Sequence, residues 1–285
     1  MKRIFWVVFG LLTLWSITTY STGWSVVYGE TNIYFNKSVD TTLAIYTPAQ
    51  GEVNLADKLI ARISNAQHSI DFCFYSLSYQ EIANSLISAY NRDVAIRVIT
   101  DNDNRDTPQI RKLESAGIPV IDDSYGDNSG RYLMHNKFAV FDYQDFTDTT
   151  DDWIWTGSYN ATFYGTYSNA NNGIELRSHK LAEIYTQEFN QMWGSDSSIP
   201  NPNNSCFGTH KSRISCHSAM IDSTPVEVYF SPKDDVCNHI THLIKTANKA
   251  IHFCVFVFTR QDMCNTMKER WDNGIEVSGV FDHHD

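Results

Sequence analysis

Basic residues are scarce: 22 Lys and Arg stand against 33 Asp and Glu, a formal net charge of −11 over 285 residues. That balance argues against the broad cationic footprint of a general nucleic-acid binder and leaves room only for a local basic groove. The six cysteines, Cys73, Cys206, Cys216, Cys237, Cys254 and Cys264, show no Cys-x-x-Cys spacing and no His-Cys cluster, so no structural zinc site is expected. The amino-terminal apolar run from Ile4 to about Trp15 is too short for a full membrane span. It follows Lys2 and Arg3 and precedes Ser16, Thr18, Thr19, Ser21, Thr22 and Gly23, the layout of a signal peptide over residues 1–23. Export to the periplasm or the outside is the expectation. No Ala-x-Ala site marks the cleavage point and no cysteine follows the run to suggest lipidation, so an uncleaved anchor stays open. In an oxidising compartment, Cys206 and Cys216 in their polar stretch are the expected disulfide, while Cys73 and Cys254 sit in apolar runs as small buried hydrophobes.

What is present is enough apolar content for a core, 42% of residues, arranged in alternating periods. A strand is expected over Thr31 to Asn36, with a second short one over Thr42 to Tyr46. An amphipathic helix follows over Asn54 to Gln67, with Leu55, Leu59, Ile60 and Ile63 at helical spacing and Asn54 as N-cap. The next expected elements are a strand over Ser69 to Leu77, a helix over Tyr79 to Tyr90, a strand over Val94 to Thr100, a helix over Thr107 to Ala116 and a strand over Ile118 to Asp122. Later come strands over Trp153 to Thr156 and Gly173 to Ser178 and a helix over Leu181 to Trp193. Strands alternating with helices point to an α/β layered domain with a mixed sheet.

The chemistry concentrates in Met134-His135-Asn136-Lys137-Phe138-Ala139-Val140-Phe141-Asp142 and in Gly157-Ser158-Tyr159-Asn160. Read as a strand, the first segment puts His135, Lys137, Ala139 and Phe141 on one face and Asn136, Phe138, Val140 and Asp142 on the other. An imidazole beside an ammonium suits a phosphodiester: the neutral ring attacks phosphorus or passes a proton, and the cation holds the non-bridging oxygens as charge builds. Asp142, of opposite parity, is expected to brace the strand.

This order of His-x-Lys-x4-Asp followed by Gly-Ser-x-Asn resembles the signature of the phospholipase D superfamily. The resemblance implies an α/β/α sandwich, a metal-independent and cofactor-free phosphodiesterase, His135 as nucleophile, Lys137 as phosphate clamp and Asn160 as a further donor, with Asp142 and Ser158 in support. Many relatives carry a Glu where Asn171 stands, fixing the tautomer of the catalytic histidine. The Asn171 amide oxygen is expected to accept the same bond without the charge. The segment Tyr143 to Asp152 is longer than in compact relatives, and its aspartates read as a solvated acidic loop; Asp101 to Asp106 reads as a polar loop bordering the site. Trp153, Trp155, Tyr159, Phe163, Tyr164 and Tyr167 crowd the region, while Asp142 to Ile174 holds no Lys, Arg or His. Together these favour phospholipid and a membrane surface over nucleic acid as partner. An endonuclease of the same superfamily and an inactive remnant are the alternatives.

The chain then begins to repeat. Ala66 to Phe74 matches Ala247 to Val255 with Ile251 in place of Ile70, an offset of 181 residues that runs without a gap from Leu59 to Asp101. A first unit is expected over 31–196, a Ser/Asn/Pro-rich linker over 197–224 and a truncated second unit over 225–285. At that offset the partner of His135 falls at position 316, beyond Asp285. The expectation is a fragment of a longer parent that turns over little by itself and associates through an open sheet edge. The alternative is a homodimer in which two copies of His135 face each other.

Overall fold

The computed structural model describes residues 27–28, 31–38, 51–126, 133–145, 147–221 and 224–282. The signal-peptide reading and the strand expected over Thr42 to Tyr46 lie outside the described residues. An eight-stranded mixed sheet carries the first unit, built from β1 (Val27–Tyr28), β2 (Thr31–Phe35), β3 (Ser69–Phe74), β4 (Ala95–Thr100), β5 (Val120–Asp122), β6 (Lys137–Phe141), β7 (Trp153–Gly157) and β8 (Asn172–Arg177). Its order is β1-β2-β8-β7-β6-β3-β4-β5. The β3/β4 and β4/β5 pairs are parallel, the others antiparallel.

Period-two alternation sends Ile70, Phe72 and Phe74 to one face, with Ala139 and Phe141. There they meet α1 (Leu55–Asn65), α2 (Gln80–Tyr90) and α3 (Pro108–Ser115) through Leu59, Ile63, Leu86 and Leu113. Cys73, Phe138, Val140 and Ile154 face the other way onto α5 (His179–Trp193), whose Leu181, Ile184, Tyr185 and Phe189 cover them. Helices on both faces make the α/β/α sandwich. Helix α1 starts where the sequence places it: the Asn54 side chain accepts the N–H groups of Ala56 at 3.0 Å and Asp57 at 3.3 Å, partners those residues lack within the helix. Asn54→Ala is expected to lower stability by about 1 kcal/mol, measured by chemical denaturation, with the unfolding slope unchanged.

Several expectations change on folding. The strand expected to begin at Met134 begins at Lys137, so His135 precedes it. Strand β3 stops at Phe74, and a short helix, α4 (Phe163–Tyr167), occupies the aromatic stretch with Thr162 as its cap. The stretch read as a linker is joined to the core. Phe207, Ile214, Ala219, Ile221, Val226 and Phe230 are buried against the α5 layer, and β9 (Ser218–Ile221) pairs with β10 (Thr224–Glu227). Isolated apolar residues among many Ser, Asn and Pro carry no period, and so their burial is invisible in sequence. Lys211 is buried there with Glu188 as its ion partner. Cys206 and Cys216, expected as a disulfide, are free thiols: Cys206 Sγ donates to the Asn204 carbonyl and Cys216 Sγ to that of Ser218.

Beyond β10 the chain forms α6 (Val236–Thr246), β11 (Ala250–Val255), α7 (Gln261–Asp272) and β12 (Glu276–Phe281). The same 181-residue offset carries both ends of α1, β3 and β4 onto those of α6, β11 and β12, and the pair Ser69↔Ala95 onto Ala250↔Glu276. Burial differs. Strand β3 is buried at every position, whereas β11 alternates between exposed and half-buried. Among the described residues β11 has β12 as its one strand neighbour, where β3 has both β4 and β6.

Candidate active site

The predicted residues collect at one end of the sheet because of its register. Phe74 pairs with Lys137 across β3/β6, Phe138 with Thr156 across β6/β7 and Gly157 with Gly173 across β7/β8. The entry to β6, the exit from β7 and the entry to β8 thus share one edge. Tyr75, just past β3, anchors the arrangement: its N–H donates to the Asn136 carbonyl at 2.8 Å, and its ring takes the His135 ring edge-on at 4.9 Å and the Lys137 ammonium at 5.2 Å. Lys137 Nζ also donates to the His135 carbonyl at 2.8 Å. Asn136 turns toward α5, with its amide 3.7 Å from Met192 Sδ. The alternation read from the sequence therefore holds for Lys137 against Phe138, and His135 joins Lys137 on Tyr75.

Burial tunes both groups. It pulls the Lys137 ammonium down to about 8, the Asp101 carboxylate opposing the shift. Burial first, and the Lys137 charge second, hold the His135 imidazolium below its ordinary range. The ring is thereby kept neutral, the form that can attack phosphorus.

The Gly-Ser-x-Asn loop is fixed by its backbone. Gly157 has φ 149, and a Cβ there would stand 2.4 Å from the Asn172 carbonyl oxygen, so the turn requires glycine. Ala161 bridges Leu77 and accepts the N–H groups of Ser78 and Tyr79 at 2.9 Å each, seating Asn160 beside the β3–α2 connection. The Asn160 side-chain oxygen is buried without a hydrogen-bond partner, a cost that a substrate donor or a turned amide would relieve. Ser158 Oγ donates to Asn171 Oδ1 at 3.0 Å and accepts the Asn172 N–H at 3.1 Å.

Two expectations about supporting residues resolve differently. Asn171, expected to bond the catalytic histidine, commits its oxygen to Ser158 and its amide N–H to the Gly165 carbonyl at 2.9 Å. No hydrogen bond joins it to His135 among the described residues, so it orders the loop. Asp142 stands at the far end of β6 from Lys137, where its Oδ1 accepts the N–H groups of Gln67, His68 and Ser69 at 2.9, 2.7 and 3.1 Å. It braces the start of β3 from a left-handed backbone just past the end of β6. In the acidic loop, Asp145 and Asp148 each close a turn by accepting the N–H and hydroxyl of Thr147 and Thr150, and buried Asp152 holds His179 Nδ1 at 2.5 Å. Of the aromatic residues, Trp155 and Tyr159 are core and Trp153 is half-buried under the Arg62 guanidinium, 3.7 Å from its ring; Phe163, Tyr164 and Tyr167 are exposed. Tyr75 was missed in the sequence because it reads as the end of an apolar strand.

Comparison with known proteins meets this geometry. The family described as "Cardiolipin synthase, PLD-like domain" matches residues 59–193, from α1 to the end of α5, a span that holds every residue above from Asn136 to Asn171 together with His135. Mitochondrial cardiolipin hydrolase from Xenopus laevis is 35% identical over 138 residues, 48% of this chain and 60% of that protein. A phospholipase D from Rickettsia prowazekii is 30% identical over 146 residues, 50% of this chain and 63% of that protein. The chain thus spans about three fifths of the length of these curated relatives. Among solved structures, phosphatidylserine synthase from Haemophilus influenzae superposes with a TM-score of 0.52 at 11% identity, over 79% of this chain and 59% of that one, a likeness of fold alone. The signature, its geometry and the family match all fall on the same residues, and residues 59–193 form a phospholipase D-like domain.

Proposed function

We propose that the chain is an exported phosphodiesterase that hydrolyses phosphatidyl headgroup esters through a phosphohistidine on His135. The observation that carries this reading is the placement of His135 and Lys137 together on Tyr75, at the sheet end where the Gly157–Asn160 loop emerges. A neutral ring nitrogen of His135 attacks phosphorus, forming a P–N bond as the P–O bond to the leaving alcohol breaks, and the alcohol departs with a proton from an acid. Water then attacks the phosphohistidine, releasing phosphate monoester and restoring the ring. Lys137 and Asn160 hold the non-bridging oxygens as charge accumulates on them. The names of the curated relatives and the exposed Phe163, Tyr164 and Tyr167 beside the loop support a lipid substrate, and the charge of −11 weighs against nucleic acid. Residues 225–285 are read as part of a second repeat of the same type. Its 181-residue offset places no second His-x-Lys within the sequence, so the leaving-group acid comes from another copy or another segment.

The test is headgroup release from phosphatidyl liposomes against nicking of plasmid DNA, both in excess chelator. Headgroup release supports the reading; nicking alone makes the protein a nuclease, activity that needs a divalent ion overturns the mechanism, and no activity on either leaves an inactive remnant.

The ionisations set a pH profile. Turnover is expected to hold at acid pH further than an ordinary histidine permits, because a lowered His135 stays neutral there, and to fall as pH rises through about 8, where Lys137 loses its proton. The dependence of kcat/KM on pH checks this, and Lys137→Arg is expected to remove the alkaline fall at the cost of a lower plateau.

A further inference from the structure

Asp101 follows β4 at the sheet end that carries the site, and β4 lies two strands from β6. Its carboxylate is fully buried. Oδ2 accepts the Met134 N–H at 2.8 Å, past the end of β3, while Oδ1 accepts the Asp103 N–H at 3.0 Å. Met134 immediately precedes His135 and is itself buried, its sulfur 3.6 Å from Cys73 Sγ. A buried carboxylate is costly unless a cation offsets it. The nearby Arg105 is bound to Asp122 and Glu114 instead, and no ion pair within 4.0 Å is made by Asp101 among the described residues. A neutral acceptor would cap the loop more cheaply, so the charge calls for another use.

We propose that Asp101 is a positioning residue for His135 and Lys137, fixing the backbone that leads into His135 and supplying a buried negative charge whose field reaches the Lys137 ammonium. The inference rests on the reading of those two residues as the reacting pair. Lys137 is faced by His135 on its own segment, by Tyr75 just past β3 and by Asp101 from beyond β4; of these, the Asp101 carboxylate favours its charged form against burial. Asp101 is surrounded by Asp103, Asp122 and Asp123. Asp123 accepts the Asn102 N–H and is pushed up to about 6, chiefly by burial. Burial also raises Asp101 itself, so its support for Lys137 weakens in acid.

Two variants separate the roles. Asp101→Asn keeps an acceptor for the Met134 N–H and removes the charge; Asp101→Ala removes both. The pH dependence of Lys137 acylation by an amine-reactive anhydride, followed by mass spectrometry, reads the ammonium directly and requires no turnover. The pH profile of kcat/KM on an aryl phosphodiester reads its consequence. With Asp101→Asn, the acylation midpoint and the alkaline limb are both expected to move to lower pH by about half a unit or more, with the plateau kcat nearly unchanged. Asp101→Ala is expected to lower the plateau kcat roughly tenfold as well, because His135 loses its fixed approach. An unmoved acylation midpoint in Asp101→Asn overturns the electrostatic role, and an undiminished plateau in Asp101→Ala overturns the anchoring role. A wild-type chain that hydrolyses no phosphodiester defeats the proposed function, while the acylation midpoint still decides whether Asp101 acts on Lys137.

Discussion

His135→Ala is expected to cut turnover of an aryl phosphodiester by roughly a thousandfold or more, with the unfolding midpoint unchanged. An aryl ester is the substrate of choice because a nitrophenolate leaves without protonation, so the reaction needs only the nucleophile and the oxyanion clamp. The side chain is partly desolvated yet reaches solvent, and it touches the fold mainly through the edge of Tyr75, so its loss removes chemistry rather than packing. Lys137→Ala is expected to cost roughly a hundredfold, less than the histidine because Asn160 remains beside the phosphate. Rapid acid or base quenching with a labelled substrate adds a second reading: wild type carries a base-stable, acid-labile label on one peptide, that of His135, and His135→Ala carries none. Equal rates for the two proteins would remove His135 from the reaction.

Asp142 belongs to the same sequence signature, and the opposite result is expected of it. Asp142→Ala should lower stability by about 3–5 kcal/mol while the surviving folded protein keeps its KM and its pH profile. Three backbone N–H groups at the start of β3 depend on one carboxylate oxygen. Asp142 also has φ 64, a left-handed conformation that Asp and Asn adopt more readily than Ala. Asp142→Asn keeps an acceptor and tolerates that φ, so about half the loss is expected. Urea denaturation of the three proteins checks the order, and a kcat that falls in proportion to the His135 variant, at full stability, would place Asp142 in the chemistry.

Much of this was legible in one dimension. The alternation along Lys137 to Phe141 sorted core faces correctly because a strand has no freedom to do otherwise: period two is a property of the extended backbone. Asn54 caps its helix as the sequence reads, a local device that a sequence displays directly, while Thr107 and Ser178, read as helix start and strand end, are caps as well. Asp142 lies past the far end of β6 from Lys137 because the five-residue strand separates them. The same 181-residue spacing that relates the two apolar runs also relates the register of β3/β4 and β11/β12, since identical strand and helix lengths leave the same pairing as the natural one.

Other features depended on residues far apart in the chain. Tyr75 reads as one more aromatic at the end of a strand; it becomes the platform for His135 and Lys137 because β3 and β6, 63 residues apart at Phe74 and Lys137, lie side by side. Asp101 reaches Met134 past an intervening strand, and Asn171 bonds Ser158 where the family resemblance implied the histidine. The polar stretch after Gly194 reads as a linker until Phe207, Ile214 and Ile221 find the α5 face. The sequence by itself determined the periodic elements, their caps and the residue types able to handle a phosphodiester, because each of these is set by neighbours within a few residues. Which side chain supports which, and how far burial shifts Lys137 and His135, was decided by the tertiary structure, because desolvation and hydrogen-bond partnership depend on groups that only folding brings within reach.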